Sequence, residues 1–316
     1  MHHTQLENIQ VLALGQACVD YLGNLPAYPV EDSKAELENL HMRCGGPAST
    51  ALVTLSRLGI GTSFLGAISD DVFGATILEN LKKENVDVSR LKVTRGFTSQ
   101  FAFIAITKRT GNRTIFWHRG TVPHLKKRDV DLRGFPCARI LHLDGLMIEA
   151  SLEAAGQARA LGMIVILDAG TMRNGTKELL KLVDILIASE TFARPLVRSN
   201  ASHESTLHTL RDLGPRQVVI TLGANGSIGL DSDDVVRQSA FSISAVDTTG
   251  AGDVYHGGYI YGVLQGWKMT QCMRFAAAAA AIKCGQIGAQ SGIPTLEMIH
   301  ALLEKEPGPA SSAWSV

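Results

Sequence analysis

The sequence has no excess of charge of one sign. Its 316 residues include 30 Lys and Arg against 30 Asp and Glu, so the formal net charge at pH 7 is zero. A protein whose main role is to bind nucleic acid usually carries a basic face or tract, and none is visible here. The composition therefore argues against nucleic acid as a partner, and it gives no support to a charged membrane surface.

Long hydrophobic runs are also missing. The longest one, AAAAAAI at 276–282, is far shorter than the roughly 20 apolar residues that span a membrane. The first residues, MHHTQLENIQ, contain neither the basic segment nor the cleavage site of a secretion signal. We therefore expect no membrane partner and a cytoplasmic location.

Cysteines are few and lie far apart. The five are Cys18, Cys44, Cys137, Cys272 and Cys284. An odd and scattered set without a C-x-x-C pair is typical of reduced thiols in the cytosol. Zinc motifs such as H-E-x-x-H do not occur either, so packing is the better explanation of each cysteine.

The sequence does contain an alternation of strand-like and helix-like segments. Short apolar runs predict buried strands at VLALG (11–15), SFLGAI (63–68), RILHLDG (139–145), MIVILDAG (163–170), DILIAS (184–189) and QVVITLG (217–223). Helical spacing predicts helices at PASTALVTLSRLG (47–59), VFGATILENLKKEN (72–85) and EASLEAAGQARALG (149–162). This order predicts an α/β fold with a mainly parallel sheet, helices on both faces, and a ligand site at the carboxyl ends of the strands.

Two regions interrupt the alternation. Residues 16–44 and about 98–118 read as β structure without helices between, and SQFAFIAITKRTGNRTIFWH (99–118) predicts a hairpin that turns at 109–112. We interpret these regions as a small β lid. The predicted organisation is a single α/β domain over 1–316, with the lid inserted into it.

Residues 247–253 read DTTGAGD. SISAV before them alternates like a strand, and DVYHGGYIYGVLQG at 253–266 has helical spacing, so we predict a strand-to-helix turn. The first N–H groups of a helix have no partner within the helix and attract anions. Because Gly250, Ala251 and Gly252 carry no bulky side chain, a phosphate can approach this backbone closely.

Asp253 directly follows the small residues, where its negative charge would repel a phosphate. An aspartate at a helix start is common for structural reasons. We favour a functional alternative, in which Asp253 removes the proton of a hydroxyl while that oxygen attacks phosphorus, and the backbone N–H groups bind the transferred group. Other phosphate motifs, G-x-x-x-x-G-K-[ST] and the H-R-D with D-F-G set, do not occur.

Several segments together resemble the signatures of the ribokinase-like (PfkB) carbohydrate kinases. They are CGGPASTALVTLSRLG with FLGAISDDVFG, then VVITLGANGSIGL, then AVDTTGAGDVYHGGYIYG. The resemblance spans nearly the whole chain. It implies ATP-dependent phosphorylation of a hydroxyl of a small sugar or sugar derivative with Mg²⁺, and with K⁺ in some members. It also implies a large α/β domain with a β lid, and a homodimer formed through that lid.

The resemblance implies roles for individual residues. Catalysis falls on Asp253 as the base and on the backbone of Gly250, Ala251 and Gly252 as an anion hole. Substrate binding falls on Asp20, Gly45, Gly46 and Thr50. Nucleotide binding falls on Ser189, Thr221, Gly223 and Gly226. For metal ions, the resemblance implies that Glu190 binds Mg²⁺ through water and that Asp247 binds a monovalent cation.

Structural alternatives stay open for some of these positions. Asp20 would also fit as a turn aspartate. The pair Gly45-Gly46 would fit as a tight turn into a helix. Thr221 and Gly223 would fit as the end of a strand.

The chain also departs from the family pattern. Thr50 stands where many members have Asn, Ser189 and Glu190 stand where many have N-x-x-E, and Gly292 stands where some cation-binding members have serine. Thr50 and Ser189, with GDVYHG and AAIKCGQIGAQSGIP, are most similar to the branch near sulfofructose kinase, which indicates a keto-sugar derivative. Trp117 and Gly145 stand where that enzyme has its anion-binding Asn and Arg, so a sulfonate is not expected.

The predicted lid carries a group of basic residues: Lys108, Arg109, Arg113, His118 and Arg119. Surface solvation is the ordinary explanation. The alternative is that Arg113, His118 or Arg119, with Lys34, contacts an acidic or phosphorylated sugar.

Two other functions stay open. A nucleoside kinase would need an aromatic side chain to stack on the base, for which Phe101, Phe103 and Trp117 are candidates. A ligand-binding regulator without catalysis is the other, and the intact G-A-G-D sequence argues against it.

Overall fold

The structure, a computed structural model, describes residues 6–109, 113–197 and 201–306. Its strands are β1 (Ile9–Leu14), β2 (Cys18–Leu25), β3 (Asn39–Gly45), β4 (Gly61–Leu65), β5 (Ala67–Ser69), β6 (Lys92–Thr94), β7 (Phe101–Thr107), β8 (Arg113–His118), β9 (Ile140–Leu143), β10 (Ile164–Ala169), β11 (Ile185–Ser189), β12 (Gln217–Thr221), β13 (Ser227–Asp231) and β14 (Asp234–Gln238). Its α-helices are α1 (Pro47–Arg57), α2 (Val72–Lys83), α3 (Ile148–Ala160), α4 (Thr176–Leu180), α5 (Glu190–Ala193), α6 (His203–Arg211), α7 (Ala251–Leu264), α8 (Met269–Lys283) and α9 (Leu296–Lys305). Short 3-10 helices lie at Lys127–Asp129, Arg194–Leu196 and Gly223–Asn225.

The main sheet has eight strands in the order β14-β13-β12-β11-β10-β9-β1-β4. Neighbours from β4 to β12 are parallel, and β13 and β14 add antiparallel strands at one edge. Along β1, Val11 and Ala13 belong to one buried apolar cluster, while Leu12 and Leu14 belong to another. Successive side chains of a strand point to opposite faces, so both faces of the sheet are covered. The predicted mainly parallel α/β fold is confirmed.

The predicted helices begin where their sequences favour a start. Pro47 is in the first turn of α1, where the missing N–H of proline leaves no intrahelical bond unmade. Asp71 precedes α2 and its carboxylate accepts the Gly74 N–H at 2.8 Å, which satisfies one of the free N–H groups of the first turn. No helix of the described ranges is both long and apolar enough to cross a bilayer.

A second sheet of four strands, in the order β3-β2-β7-β8, lies in the regions predicted to form the lid. The pairs β2–β3 and β7–β8 are antiparallel and the pair β2–β7 is parallel. The strands fall within 16–44 and 98–118 except at Gly45, where β3 ends. Of the predicted hairpin turn at 109–112, residues 110–112 lie outside the described part of the chain.

Two predicted strands are wrong in detail. SFLGAI (63–68) is not one strand: β4 ends at Leu65 in the main sheet, and after Gly66 the chain forms β5, which pairs with β6. SISAV (242–246) is not a strand. All five of its residues are exposed, so no neighbouring strand covers either side of its alternating pattern. The chain is instead anchored where the N–H groups of Val246 and Asp247 donate to Cys284 O at 2.8 and 3.1 Å.

Candidate active site

The small residues of DTTGAGD form the start of α7. Gly250 precedes the helix with φ 77 and ψ 2, a left-handed conformation that favours glycine. A Cβ at Gly250 would lie 2.7 Å from the Cβ of Ala289, whereas a Cβ at Gly252 would meet nothing within 4 Å. The first glycine is therefore required by packing, and the second leaves open space beside the first turn of the helix.

The N–H groups of this turn are only partly used. Ala251 N–H donates to Thr248 O at 3.2 Å. Within the described ranges, no acceptor receives the N–H groups of Gly250 or Gly252, and no side chain caps the helix. Free N–H groups at the start of a 14-residue helix form a site with partial positive charge that suits an anion.

Asp253 lies on this first turn and is partly exposed. Within the described ranges it forms no ion pair. The pKa of Asp253 is raised to about 7, chiefly by desolvation in the surrounding protein and next by the charge of Asp168, while His256 acts in the opposite direction. A carboxyl group with a pKa near neutrality and no cation partner suits a general base.

Buried carboxyl groups surround Asp253. Asp144 and Asp168 follow directly after or lie within the last residues of strands β9 and β10, and burial raises the pKa of each to about 7. Asp20, in β2, is 5% exposed, and burial raises its pKa to about 6. Asp144 and Asp168 lie together because the carboxyl ends of parallel strands meet at the same edge of a sheet, whereas Asp20 comes from the four-stranded sheet.

His256 connects the start of α7 to this edge. Its Nδ1 lies 2.6 Å from Gly252 O, and its Nε2 lies 3.3 Å from Ile187 O and 3.6 Å from Asp168 Oδ1. His256 and Asp168 were missed in the sequence. The signal that could have found Asp144 and Asp168 is an aspartate at the end of each apolar strand run, in LHLDG and VILDAG.

The structure brings Asp20 and Gly45 together. Asp20 Oδ1 accepts from Cys18 Sγ at 3.2 Å, and a Cβ at Gly45 would lie 2.4 Å from Asp20 Oδ2. Asp20 lies within β2, so the alternative of a turn aspartate is wrong. Gly46 has φ 102 and precedes α1, and a Cβ there would lie 2.6 Å from Gln16 O, so this glycine is required by the turn into the helix.

Thr50 lies apart from the open part of the site. It is fully buried in α1, and its hydroxyl oxygen accepts from Gln290 Nε2 at 3.4 Å. Gln290 Oε1 also accepts from Asn80 at 2.8 Å. The Thr50 hydroxyl therefore takes part in packing between α1 and the segment after α8, and its role in substrate binding stays a prediction.

The predicted nucleotide residues lie at the neighbouring ends of β11 and β12. Ser189 pairs with Thr221 across the two strands, and Ser189 Oγ caps α5 by accepting the Phe192 N–H at 3.2 Å. Gly223 has φ 59 and a Cβ there would meet nothing within 4 Å. Gly226 has φ 85, and its Cβ would lie 2.0 Å from Gln238 O, so Gly226 is required by the turn and Gly223 leaves open space.

The two predicted metal ligands differ in their surroundings. The Glu190 side chain is 51% exposed and lies 3.3 Å from His203 and 3.8 Å from Arg194. The Asp247 carboxylate is buried and accepts from Thr249 N at 2.9 Å, Thr249 Oγ1 at 2.7 Å and Gly288 N at 2.8 Å. Burial acts to raise the pKa of Asp247, but the hydrogen bonds from Gly288 and Thr249 outweigh it and lower the pKa. In the described ranges no group of three or more His, Cys, Asp or Glu is arranged to hold a metal ion.

The four-stranded sheet reaches the start of α7 through Arg113, whose guanidinium donates to the Thr248 hydroxyl.

Trp117 is 49% exposed and is paired across the strands with Ala102, which is in turn paired with Asp20. Side chains of neighbouring strands in one row share a face, so Trp117 is on the face of Asp20. Phe101 and Phe103 are on the other face, where Phe101 stacks on Phe73 and His118.

Comparison with known proteins gives a consistent result. The sequence model of the pfkB family carbohydrate kinases matches residues 8–296. The chain is 29% identical over 293 residues to a nucleoside kinase of Methanothermobacter thermautotrophicus, which covers 91% of this chain and 93% of the relative. It is 29% identical over 301 residues to a ribokinase of Haemophilus influenzae, which covers 92% of this chain and 97% of the relative.

A solved ribokinase structure from Thermotoga maritima matches with a TM-score of 0.81 at 25% identity, over 94% of this chain and 99% of that one. The predicted family and the predicted class of reaction, phosphoryl transfer to a hydroxyl, are confirmed by these matches. The chain belongs to the pfkB family of carbohydrate kinases.

Proposed function

We propose that this protein is an ATP-dependent sugar kinase, with Asp253 as its general base. The observation that carries the proposal is a carboxyl group with a pKa of about 7 that forms no ion pair in the described part of the chain, on the first turn of α7 beside the open side of Gly252. The sugar hydroxyl oxygen forms a bond to the γ-phosphorus of ATP. The bond from that phosphorus to the β–γ bridging oxygen breaks, ADP leaves, and the hydroxyl proton passes to Asp253.

The backbone at 250–252 is proposed as the anion hole. Donors that are already in place stabilise the charge on a transferred phosphoryl group without reorganisation during the reaction. The N–H groups of Gly250 and Gly252, which have no acceptor among the described residues, support this role. Ala251 N–H is shared with Thr248 O, so its contribution is expected to be smaller.

The sugar is proposed to bind between Asp20, the Gly45-Gly46 backbone and the four-stranded sheet acting as a lid. A carboxylate such as Asp20 accepts charge-assisted hydrogen bonds from two hydroxyl groups. The Arg113 contact with Thr248 joins the lid to the anion hole. Closure at this contact would exclude the water that competes with the sugar as acceptor.

ATP is proposed to bind along Thr221, Gly223 and Gly226, beside Ser189. The open space at Gly223 and the pairing of Ser189 with Thr221 support this placement. Mg²⁺ would supply positive charge for the ATP phosphates, and the exposed Glu190 carboxylate at the end of β11 is the group that would bind it through water. For K⁺ at Asp247 the residues fit poorly, because the Lys283 ammonium group already donates to the Asp247 carbonyl oxygen at 2.8 Å.

A homodimer through the lid is proposed as the assembly. Met42, Tyr21, Phe103 and Phe116 form one row across the lid sheet, and Met42 and Phe116 are 45% and 51% exposed. Leu40, two residues before Met42 in the same strand, is 56% exposed. An exposed apolar sheet face of this kind suits a protein interface, and sedimentation of the purified chain would measure the assembly.

Five free cysteines support the cytoplasm as the compartment of this protein.

A nucleoside kinase is the second candidate. The observation that favours it is Trp117, which is 49% exposed on the face of Asp20, where an indole ring can stack on a base. Phe101 and Phe103 are less suitable because they lie on the other face.

An ATP-consumption screen over ketoses, aldoses, sugar acids, sugar phosphates and nucleosides tests these candidates together. Turnover with a keto-sugar derivative or another sugar supports the sugar kinase, and turnover with nucleosides alone supports the second candidate. Binding of ATP without turnover on any acceptor would contradict both and support a non-catalytic regulator. Trp117→Ala then sharpens the distinction, because it should impair nucleoside turnover more than sugar turnover.

A further inference from the structure

Lys283, the last residue of α8, is fully buried, with 0% of its surface exposed. In the described ranges it is the only lysine or arginine among the buried residues. Removing an ammonium group from water destabilises the folded protein strongly unless acceptors replace the water. Its ammonium group donates to the backbone carbonyl of Asp247, with Nζ 2.8 Å from the oxygen.

Asp247 begins the turn that leads into the anion hole. The segment after Lys283 surrounds this turn: Cys284 O accepts the N–H groups of Val246 and Asp247, and Gly288 N–H donates to the Asp247 carboxylate. A Cβ at Gly250 would lie 2.7 Å from Ala289 Cβ. The Lys283 ammonium group therefore lies among the segments that hold the 247–250 turn in place. It contacts this turn at Asp247, three residues before Gly250.

A bound K⁺ does not fit this arrangement. Proteins hold K⁺ with several carbonyl oxygens that replace its hydration shell. Here the carboxylate oxygens of Asp247 accept from Thr249 and Gly288, and its carbonyl oxygen accepts from Lys283. A single positive charge already occupies the place beside that carbonyl, so a second cation would be repelled.

The position of Gly292 agrees with a lysine at this place. A Cβ at Gly292 would lie 2.4 Å from Lys283 O, so a serine side chain cannot be accommodated there without moving the end of α8. The chain therefore offers no side-chain oxygen at 292 for a cation, and it supplies a positively charged side chain instead.

We propose that the Lys283 ammonium group is a built-in cation that fixes the 247–250 turn, so that phosphoryl transfer by this protein needs no K⁺. This inference rests on the proposed function. Lys283 is a positioning residue, since it acts on the anion hole through Asp247 and contacts no reacting atom. A fixed charge here keeps the N–H groups of Gly250 and Gly252 directed at the transferred phosphoryl group.

The test compares wild type with Lys283→Met, which has a side chain of similar size without the charge. Both are assayed for kcat, KM and melting temperature in choline chloride and in potassium chloride at equal ionic strength. Wild type should give the same kcat and melting temperature in both salts. Lys283→Met should lose about tenfold or more in kcat in choline chloride, as expected when a catalytic group is misplaced, and K⁺ should raise both its kcat and its melting temperature.

The exposed Lys305→Met is the matched control and should behave like wild type. Strong activation of wild type by K⁺ would overturn the proposal, even if Lys283→Met does not fold. A Lys283→Met variant with wild-type kcat in choline chloride would overturn it as well. If no acceptor supports ATP consumption, the kinase proposal fails separately, and the comparison of melting temperatures in the two salts still decides the role of Lys283.

Discussion

The turn before α7 and the turn after β12 both contain a glycine with positive φ, but the protein surrounds them differently. Around Gly250 the backbone packs against Ala289, and both oxygens of the Asp247 carboxylate accept hydrogen bonds. Around Gly223 a Cβ would meet nothing within 4 Å, and the nearby Glu190 side chain is 51% exposed. The protein's own contacts therefore fix the end of the site that is proposed to bind the transferred phosphoryl group. The end that is proposed to bind the nucleotide is open.

This difference has an electrostatic counterpart. Desolvation raises the pKa of Asp144, Asp168 and Asp253 to about 7, whereas the Glu190 side chain is half exposed to water. Buried carboxyl groups that repel one another are costly to maintain, and such groups cluster where a protein performs proton transfer. Substitutions at the end of the site around Gly250 should therefore change turnover, and substitutions at the end around Gly223 should change ligand affinity.

The largest effect expected from the comparison of the two turns separates the two glycines. Gly250→Ala should lower kcat by about 10²-fold or more, because the clash with Ala289 displaces anion-hole donors, and removing one such donor has this effect in other enzymes. Gly223→Ala carries the same left-handed strain without the clash, so it should raise KM for ATP and change kcat little. Steady-state kinetics measures both. Equal losses of kcat in the two variants would remove the distinction between the two turns.

The next effect concerns pH. Asp253 must be unprotonated to accept a proton, and its pKa is about 7. As pH falls below this value, kcat/KM should fall about tenfold per pH unit, and it should level off above it. A pH–rate profile measures this, provided that Mg²⁺ and ATP stay saturating. A profile that is flat from pH 5 to 8, an interval that spans the pKa of about 7, would contradict the assignment.

A smaller effect is expected on the lid. Arg119 is exposed and contacts His124, and it is a candidate for contact with an acidic sugar. If the substrate is acidic, Arg119→Ala should raise its KM by about tenfold, as expected when one charge-assisted hydrogen bond of roughly 1.5 kcal/mol is lost. Kinetics with matched neutral and acidic sugars measures the difference. A preference for neutral sugars in both wild type and variant would show that Arg119 is ordinary surface charge.

The smallest effect is expected at Glu190. Because its side chain is 51% exposed and would bind the metal through water, Glu190→Gln should raise the Mg²⁺ concentration needed for half-maximal rate a few-fold and leave kcat nearly unchanged. Titration of Mg²⁺ at fixed ATP measures this. The neighbouring surface variant Glu204→Gln, which removes an exposed partner of Arg237, is the control. A large loss of kcat in Glu190→Gln would show that this residue acts in phosphoryl transfer and not only in binding the metal and nucleotide.

The parts of the fold and site that depend on local sequence could be predicted. Glycine, proline and aspartate signals indicate the ends of α1, α2 and α7, and apolar runs predict the six parallel strands of the main sheet, but β13 and β14 were not predicted. SISAV (242–246) was wrong because an alternating pattern does not reveal whether a second strand lies beside it. Because residues 242–246 do not form a strand, the turn before α7 is held by the end of α8 and not by a sheet.

Contacts between distant segments could not be predicted. Thr50 and Gln290 are 240 residues apart, and only the packing of α1 against the segment after α8 brings them together. Lys283 reads as an ordinary basic residue at a helix end, where it is favourable. Its contact with Asp247 depends on the path of the chain between α8 and α9.

The most direct measurement is the turnover of Asp253→Asn with ATP and the preferred acceptor, alongside calorimetric binding of both ligands. The substitution keeps the size of the side chain and removes its capacity to accept the proton. From the assignment of Asp253 as general base we expect affinities close to wild type and a kcat lower by about 10²–10⁴-fold, with Asp233→Asn, whose side chain is 94% exposed, unchanged. A wild-type rate in Asp253→Asn would contradict it.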